Sequence, residues 1–466
     1  MRMMLNTNWQ EKFNQLDSKD NAFLAEALSL LACIPNLDLT NKQQLIAAVS
    51  RLITELDSAL SKQLDNIMHD RDFVHMESNW RGIQGLALLP INAQRTQLKI
   101  LDMSWNEVSS DMNQAYNIRA CELYNKIGNQ ELNTLGGHPF GCIMFTHAVS
   151  MDIDVDADFD DLFTLELLGK LGESTLCPIV LSPDEHFFVN SGADWISDIT
   201  RIEKILSGPD YQAWEALRAK ASSRFTALVM PRIRMRSIHH NAQVGFLYNE
   251  SGNGLWGNAC FAFIASIMRE HHRVNWFGFL KSRWNDKFQG ALINLPNSKQ
   301  QSEYLSKPVT DITLFGQVST FYAQHGFIPL TKSQQTNTYY FNGNNSVWRN
   351  GNNDNDKVLN QVQTTLMSCR IAHYLKVQVR EMIGSFNTAA ECELFLTQWI
   401  EKFSSNVTNA NEETLAKYPL SFAKISVEES HSAPGSFACT LRMVPQYQYD
   451  HFSGEVVLTT ELDEVA

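Results

Sequence analysis

Six aspartates form the densest cluster of side chains that could do chemistry: Asp152, Asp154, Asp156, Asp158, Asp160 and Asp161. Carboxylates at alternating positions are typical calcium ligands, but a calcium loop of the EF-hand type needs Gly at its sixth position and Glu at its twelfth. Counting from Asp152, these positions hold Ala157 and Phe163. We therefore interpret the cluster as a solvated loop that leads into a helix N-terminus, where negative charge is favourable.

Other patterns that would indicate metal or phosphate chemistry are incomplete. His239-His240 and His271-His272 are adjacent pairs, whose side chains point apart on a helix or strand, and no Cys or His partner stands at ligand spacing. Gly136-Gly137 lacks the following Lys-Ser/Thr of a phosphate loop, so we predict a tight turn there. The sequence also lacks GxSxG, HExxH, Walker and paired-carboxylate signatures. We expect no catalytic, cofactor-binding or metal site, and an α/β enzyme with a dispersed site stays an alternative.

A block of positive charge is more informative. Residues 201–240 contain eight basic and three acidic side chains, whereas the whole chain has 38 Lys and Arg against 51 Asp and Glu and a net charge of −13. Arg232, Arg234 and Arg236 alternate with apolar residues, so on a strand they would share one face. The block predicts either a docking face for an acidic partner or an edge strand protected by charge. The negative overall charge argues against general nucleic-acid binding.

The elements that would position these residues predict a mixed α/β (α+β) fold. Apolar residues at helical spacing predict helices at 21–33 and 41–69, with Thr40 or Asn41 as the cap of the second. The apolar stripe of the second helix consists of Leu45, Val49, Leu52, Leu56, Leu60, Leu64 and Ile67. Helical stretches at 158–172, 209–221 and 256–272 then alternate with short strand-like runs. These runs are 97–101, 141–145, 177–181, 226–230, 274–279, 311–314 and 327–330.

The last third of the chain changes character. Residues 331–356 are rich in Gln, Asn, Gly and Ser and predict an exposed loop. Helices at 358–383 and 389–403 are followed by predicted strands at 420–428, 436–444 and 454–462. We predict three regions, which are an N-terminal arm with helices at 1–75, a mixed α/β middle region at 76–350 and a C-terminal helix-plus-β domain at 351–466.

The cysteine pattern and the hydropathy indicate the cellular compartment. The eight cysteines are dispersed without a CxxC pair, which is typical of reduced thiols in a cytoplasmic protein. The N-terminal residues contain no apolar core of a secretory signal, and no apolar run approaches the roughly 20 residues of a membrane span. We expect a cytoplasmic protein without membrane insertion.

Six dispersed segments resemble the large sheath subunit of the bacterial type VI secretion system, the TssC/VipB family with its EvpB-like members. In chain order they are ESNWRG at 77–82, GGHPFG at 136–141, the segment 207–236, LWGN at 255–258, HYLK with the following residues at 373–384, and YPL at 418–420. Departures from the family pattern, such as His138 and Arg234, suggest a divergent lineage such as the Francisella-type, IglB-like subunits.

The resemblance implies a contractile-sheath fold and a structural function. A member of this family co-assembles with a small sheath subunit (TssB/VipA-like) and with other copies of itself into a metastable helical tube. The tube surrounds an inner tube of Hcp-like rings, stands on a baseplate and contracts to propel the inner tube. A ClpV-type unfoldase is a further candidate partner, although the helical motif that engages it is not recognisable here. No cofactor is implied, and a sheath-derived baseplate or adaptor protein is an alternative.

Two groups of candidate residues follow from these observations. The residues that match the family and are expected to be structural are Trp80, Arg81, Gly136, Gly137, Trp214, Trp256, Asn258 and Arg380. The hypothetical interface residues come from the basic block and from the terminal strand, since sheath subunits join their neighbours by strand addition. They are Arg218, Arg224, Arg232, Arg234, Arg236, Val456, Val457 and Leu458.

Overall fold

The computed structural model describes most of the chain. The described residues are 18–33, 41–151, 160–188, 196–241, 247–252, 254–277, 309–333, 338–349, 351, 353–382, 388–405, 417–429, 437–446 and 454–462. The chain divides into two compact units, one made of residues 1–77 and 237–255 and the other of residues 78–236 and 256–466. The predicted limits of the three regions stay predictions.

Helices and strands alternate through the middle of the chain. The helices are α1 (Ser18–Ala32), α2 (Lys42–Met68), α3 (Arg71–Ala87), α4 (Trp105–Gln114), α5 (Glu122–Tyr124, continued by a π-helical segment at Asn125–Asn133), α6 (Asp161–Thr175), α7 (Ile199–Leu206), α8 (Gln212–Arg218), α9 (Cys260–Val274), α10 (Gly316–Gln324), α11 (Asp354–Leu359), α12 (Val362–Met382) and α13 (Ala389–Glu401). The strands are β1 (Ile143–Val149), β2 (Ile179–Pro183), β3 (Thr226–Met230), β4 (Ile233–Arg236), β5 (His240–Asn241), β6 (Tyr248–Asn249), β7 (Leu255–Gly257), β8 (Phe327–Lys332), β9 (Tyr339–Phe341), β10 (Leu420–Glu429), β11 (Phe437–Pro445) and β12 (Val456–Leu462).

The first unit is built around α2. Asn41 caps this helix as predicted, since its side-chain oxygen accepts hydrogen bonds from the backbone N–H groups of Gln43 and Gln44. The antiparallel pair β5 and β6 belongs to the same unit, and the Tyr248 hydroxyl on β6 donates to Asp65 Oδ1 at 2.8 Å. No residue of α2 is buried by the described chain. The helix was correctly predicted, but its apolar stripe does not lie in a core of the described residues.

The second unit contains a five-stranded sheet with the order β1-β2-β3-β8-β9. The first four strands are parallel, and β9 is antiparallel to β8. Successive positions point into two apolar cores, because Leu181 and Leu228 pack with residues of α6 whereas Val180 and Val229 pack with residues of α9. Burial of both faces is typical of parallel strands covered by helices.

The C-terminal strands form a separate antiparallel sheet with the order β10-β11-β12. Its inner face contributes Ile425, Leu441 and Val456 to a third core, which α12 and α13 complete. Its outer face is mixed: Lys424 lies beside Arg442 there, and Phe422 and Val457 are also exposed on it. The predicted strands and helices of this region are therefore confirmed, with ends that shift by a few residues.

Some sequence predictions were wrong. Residues 97–101 form no strand, Val274 is the last residue of α9, and 311–314 contribute only an isolated bridge between Leu314 and Thr331. The segment 331–356 is not an exposed loop, since it includes β9 and buried Asn344 and Ser346.

The internal hydrogen bonds of 331–356 explain this error. The Ser346 hydroxyl donates to Asn360 Oδ1 at 2.6 Å, and Asn345 Nδ2 donates to the Ala323 carbonyl at 2.7 Å. A polar segment is exposed when its side chains form their hydrogen bonds with water. The side chains of Asn345 and Ser346 instead form hydrogen bonds with other groups inside the fold.

Candidate assembly surface

A groove of about 200 Å³ runs along the outer edge of β12. β12 pairs with β11 on one side, and no strand of the described chain pairs with its other side. The groove is lined by four consecutive residues, namely Glu455 and the first three residues of this strand, Val456 to Leu458. Side chains alternate between the faces of a sheet, so a surface lined by consecutive residues is the backbone edge of the strand. The edge that the sequence predicted for strand addition is therefore accessible in the described chain.

The opposite wall of the groove comes from helices and from the turn before β3. Thr365, Ser368 and Cys369 of α12 lie along it, together with Leu359 and Phe225. Burial raises the pKa of the Cys369 thiol far above its usual range, so this group behaves as a small apolar side chain. The wall is mostly apolar with small hydroxyl groups, which suits the side chains of an extended segment.

Arg224 brings a positive charge into this groove. Its guanidinium lies 5.7 Å from the centre of the Trp348 ring, and it makes no hydrogen bond or ion pair with any described residue. Its Nε is buried without a partner among the described residues. Burial lowers the pKa of Arg224, while Cys369, Glu173 and Asp356 act in the opposite direction from a distance.

The groove thus contains residues from two separate predictions, the basic block and the terminal strand. Arg224 was grouped with the basic block, and Val456, Val457 and Leu458 with the terminal strand, more than 200 residues away. No local pattern connects these segments, because only the packing of α12 between them brings them together.

Arg218, another arginine of the basic block, has partners within the chain. Arg218 is buried, and it donates to the carbonyls of Val347 and Gln324 and to the Glu215 carboxylate at 2.9–3.2 Å. It therefore connects α8 to the end of α10 and to the segment after β9. Its proposed interface role stays a prediction, and its contacts in the chain are structural.

Arg232 lies at the rim of a cleft of about 410 Å³ at the carboxyl ends of β2 and β3. Its guanidinium pairs with Glu185 at 2.6 Å and with Asp311 at 2.9 Å. Burial alone would lower the pKa of Arg232, but Asp311 and Glu185 outweigh this effect and raise it. The charge of Arg232 is therefore already neutralised within the chain.

Arg234 and Arg236 do not form a solvated face with Arg232. Both are buried, and Arg234 lies 5.1 Å from the ring centre of Trp256, while burial lowers its pKa. Ile233, which lies between Arg232 and Arg234 in the sequence, is buried as well. The strand is thus covered on both sides, and the expected exposed basic face is corrected accordingly.

Several family-matched residues have clear structural contacts. Trp214 is fully buried and stacks on Phe327 with ring centres 5.6 Å apart. Gly136 has φ +81°, and a Cβ on Gly137 would collide with the Glu131 carbonyl, so the predicted tight turn requires both glycines. Asn258 Nδ2 donates to the Thr146 carbonyl at 2.5 Å and connects the start of α9 to β1.

Of the other four family-matched residues, two are exposed, one is partly buried, and one has a side chain outside the described residues. Trp80 is 62% exposed and its neighbour Arg81 is exposed as well, so packing within the chain does not account for Trp80. Trp256 is only partly buried, beneath Arg234. Arg380 belongs to α12, and its side chain lies outside the described residues.

The candidate chemical sites have structural explanations where they are described. Asp160 caps α6, and Asp161 accepts hydrogen bonds from His147, Ser150 and Trp105 at 2.7–2.9 Å. Burial alone would raise the pKa of Asp161, but these hydrogen bonds lower it. The other aspartates of the cluster lie outside the described residues. Within the described ranges, no three His, Cys, Asp or Glu side chains are placed to hold a metal ion, and no helix there is long and apolar enough to cross a membrane.

Comparison with known proteins identifies the class. The VipB family model "EvpB/VC_A0108, tail sheath N-terminal domain" matches residues 50–348, and "EvpB/VC_A0108, tail sheath gpW/gp25-like domain" matches residues 351–462. These are structural tail sheath proteins, not enzymes. The chain belongs to this VipB (TssC) sheath family, and the resemblance noted in the sequence is confirmed.

A named relative and a solved structure are also similar to this chain. The chain is 24% identical over 437 residues to "Type VI secretion system sheath protein TssC1" of Pseudomonas aeruginosa PAO1, covering 90% of this chain and 86% of the relative. It also matches a crystal structure of a sheath tail protein from Desulfitobacterium hafniense at 12% identity and a TM-score of 0.30, covering 66% of this chain and 62% of the other.

Proposed function

We propose that this chain is the large subunit of the contractile sheath of a type VI secretion system in the bacterial cytoplasm. It co-assembles with a small sheath subunit and with other copies of itself into a helical tube around an inner Hcp-like tube, on a baseplate. The sheath is built in a metastable extended state and contracts when new interfaces bury more surface, without nucleotide consumption in the stroke itself. A ClpV-type unfoldase would recycle the contracted tube. We propose no catalytic activity.

The open edge of β12 beside its groove is the observation that carries the co-assembly. An exposed strand edge presents unpaired N–H and C=O groups, and an extended segment of a neighbour satisfies them by adding a strand. A continuous sheet across subunits keeps neighbours connected while they rotate relative to one another. The family match over both parts of the chain supports the same assignment.

The test is negative-stain electron microscopy of this chain co-expressed with its small-subunit candidate. We expect hollow tubes for the wild-type chain and for Val457→Thr, which keeps the strand backbone. We expect no tubes for Val457→Pro, since proline removes a backbone N–H from β12. Tubes formed equally well by Val457→Pro would contradict strand addition at this edge.

The alternative functions have their own expected outcomes. The cleft at the carboxyl ends of β2 and β3 is the place where open α/β sheets bind ligands, which is the specific observation in favour of an enzyme. An enzyme would give discrete soluble particles and a ligand-dependent rise in melting temperature. An adaptor protein would bind the small subunit or the baseplate without forming tubes under any salt condition.

A further inference from the structure

Arg224 is a charged group without a counter-ion at the surface proposed for strand addition. Its Nε is buried, and no described carboxylate contacts its guanidinium. Removing a guanidinium from water is costly unless a partner replaces the lost hydrogen bonds. Arg218 and Arg232 in the same basic block pair with carboxylates. Arg224 and Arg234 have no such partner among the described residues, and of these two only Arg224 lines the groove.

We propose that the segment that adds to β12 carries an aspartate or glutamate whose carboxylate pairs with Arg224. This inference rests on the proposed function and adds the chemistry by which the segment is selected. Arginine and carboxylate match in planar, two-point geometry, and such charge-assisted hydrogen bonds are the strong ones. The pair would form only in the assembled sheath, since its acidic member comes from the neighbour.

The groove also fixes where the carboxylate lies in the added strand. Val456 belongs to the inner face of the sheet, whereas Val457 is exposed on the outer face. Arg224, Ser368 and Phe225 form the wall that the inner face of an added strand would meet. The acidic residue must therefore point inward, and the residues two positions before and after it point inward too. A groove of about 200 Å³ leaves room only for small or medium apolar side chains at those positions.

The occupant is a segment of the small sheath subunit and not a second copy of this chain. If one chain supplied both the groove and the acidic segment, it would polymerise alone, whereas the proposed sheath requires two kinds of subunit. The acidic residues at Glu461, Asp463 and Glu464 make the second copy a real competitor, which the experiment distinguishes.

The experiment co-expresses the full tagged chain with the small-subunit candidate and measures co-purified small subunit and tube formation. Arg224→Gln keeps a polar, unbranched side chain, although a shorter one, and removes its charge. We expect a loss of co-purified partner of at least about tenfold. Arg224→Glu should abolish assembly. Arg349→Gln is the matched control, because Arg349 is 66% exposed, pairs with Glu215 and lies outside the groove.

Charge reversal provides the decisive arm. Each Asp and Glu in the terminal segments of the small subunit is replaced by Lys and combined with Arg224→Glu. We expect one such Lys variant to restore tubes with Arg224→Glu and to fail with the wild-type chain. That result also shows that the Arg224→Glu chain folds, so misfolding is not the reason why it fails to assemble with the wild-type small subunit.

Three outcomes would overturn the inference. If Arg224→Gln and Arg224→Glu assemble like Arg349→Gln while Val457→Pro does not assemble, the carboxylate pairing is wrong and the proposed function stands. If Val457→Pro also assembles normally, the proposed strand addition is wrong as well. If only a Lys at Glu461, Asp463 or Glu464 of this chain restores Arg224→Glu, the occupant is a second copy and the assignment to the small subunit is wrong.

Discussion

His373 is expected to make the C-terminal helices unstable in acid. It lies on α12, is buried, and its Nε2 lies 3.4 Å from the Thr175 carbonyl oxygen. Burial lowers the pKa of His373 to about 4, the Thr175 carbonyl opposes this effect, and the positive charge of Lys376 adds to it. An unfolded histidine has a pKa near 6.5. Between these two values the unfolded chain binds a proton that the folded chain excludes.

The sign and size of the effect follow from this difference. Stability is unaffected by His373 above about pH 6.5 and falls as the pH drops from there towards 4. At pH 5 the loss amounts to about 2 kcal/mol for this one group. His271 on α9 also has a pKa of about 4, because burial lowers it and Arg370 reinforces the shift, so it adds a second loss of similar size.

Hydrogen exchange of α12 peptides between pH 5 and 7.5, corrected for intrinsic rates, measures the opening free energy directly. We expect His373→Gln, whose amide can still donate to Thr175, to lose about 2 kcal/mol less than the wild type over this range. His186→Gln is the control, because its side chain is half exposed in the wild-type chain. If His373→Gln and the wild type show the same pH dependence, the neutral buried state assigned to His373 is refuted.

Three further predictions compare matched sites. Gly82→Ala should lower the free energy of unfolding by about 1–3 kcal/mol in thermal unfolding, because the new Cβ would lie 2.6 Å from Phe261 ring atoms. Gly85→Ala on the same helix places its Cβ in open space and should raise the free energy of unfolding by up to about 1 kcal/mol. Trp214→Ala should cost about 3–5 kcal/mol by denaturant unfolding, and the exposed Trp80→Ala less than about 0.5 kcal/mol; equal costs would contradict their different burial. A thiol reagent should react rapidly with Cys33 alone in the native chain and with all eight cysteines in denaturant, since Cys33 is the exposed one.

Local periodicity accounts for the parts of the fold that the sequence predicted well. β3 was predicted at its observed limits, and α2 and α13 nearly so, because apolar spacing within one element directly reflects its own geometry. The return of residues 237–255 to the first unit was not predicted. That contact depends on β6 meeting Asp65 more than 180 residues earlier, for which the local pattern has no signal.

The candidate surface was predicted only in fragments. The basic block was interpreted as a docking face or as an edge strand protected by charge. Arg218 of this block is instead buried, because two backbone carbonyls and Glu215 satisfy its guanidinium. Arg224 looks the same in sequence and has no such partners. Sequence spacing cannot separate these two cases, since the difference lies in which distant carbonyls happen to surround each guanidinium.

The uncovered apolar seam of α2 leads to a last prediction. Exposed apolar residues recur there with the three- and four-residue steps of a packed helix, namely Ile46, Val49, Ile53, Leu56, Leu60 and Ile67. Ile53→Gln and Leu56→Gln should each change the opening free energy of α2 by less than about 0.5 kcal/mol in the single chain, because no described residue buries them. Hydrogen exchange of α2 peptides measures this, with Ser58→Gln on the polar face as control. A loss of 2 kcal/mol or more would mean that the chain itself covers the seam, since that is the cost of removing a packed Leu or Ile. A negligible loss would mean that the apolar side chains of α2 do not stabilise the isolated chain. This is expected of a subunit whose apolar helix face packs against its neighbours.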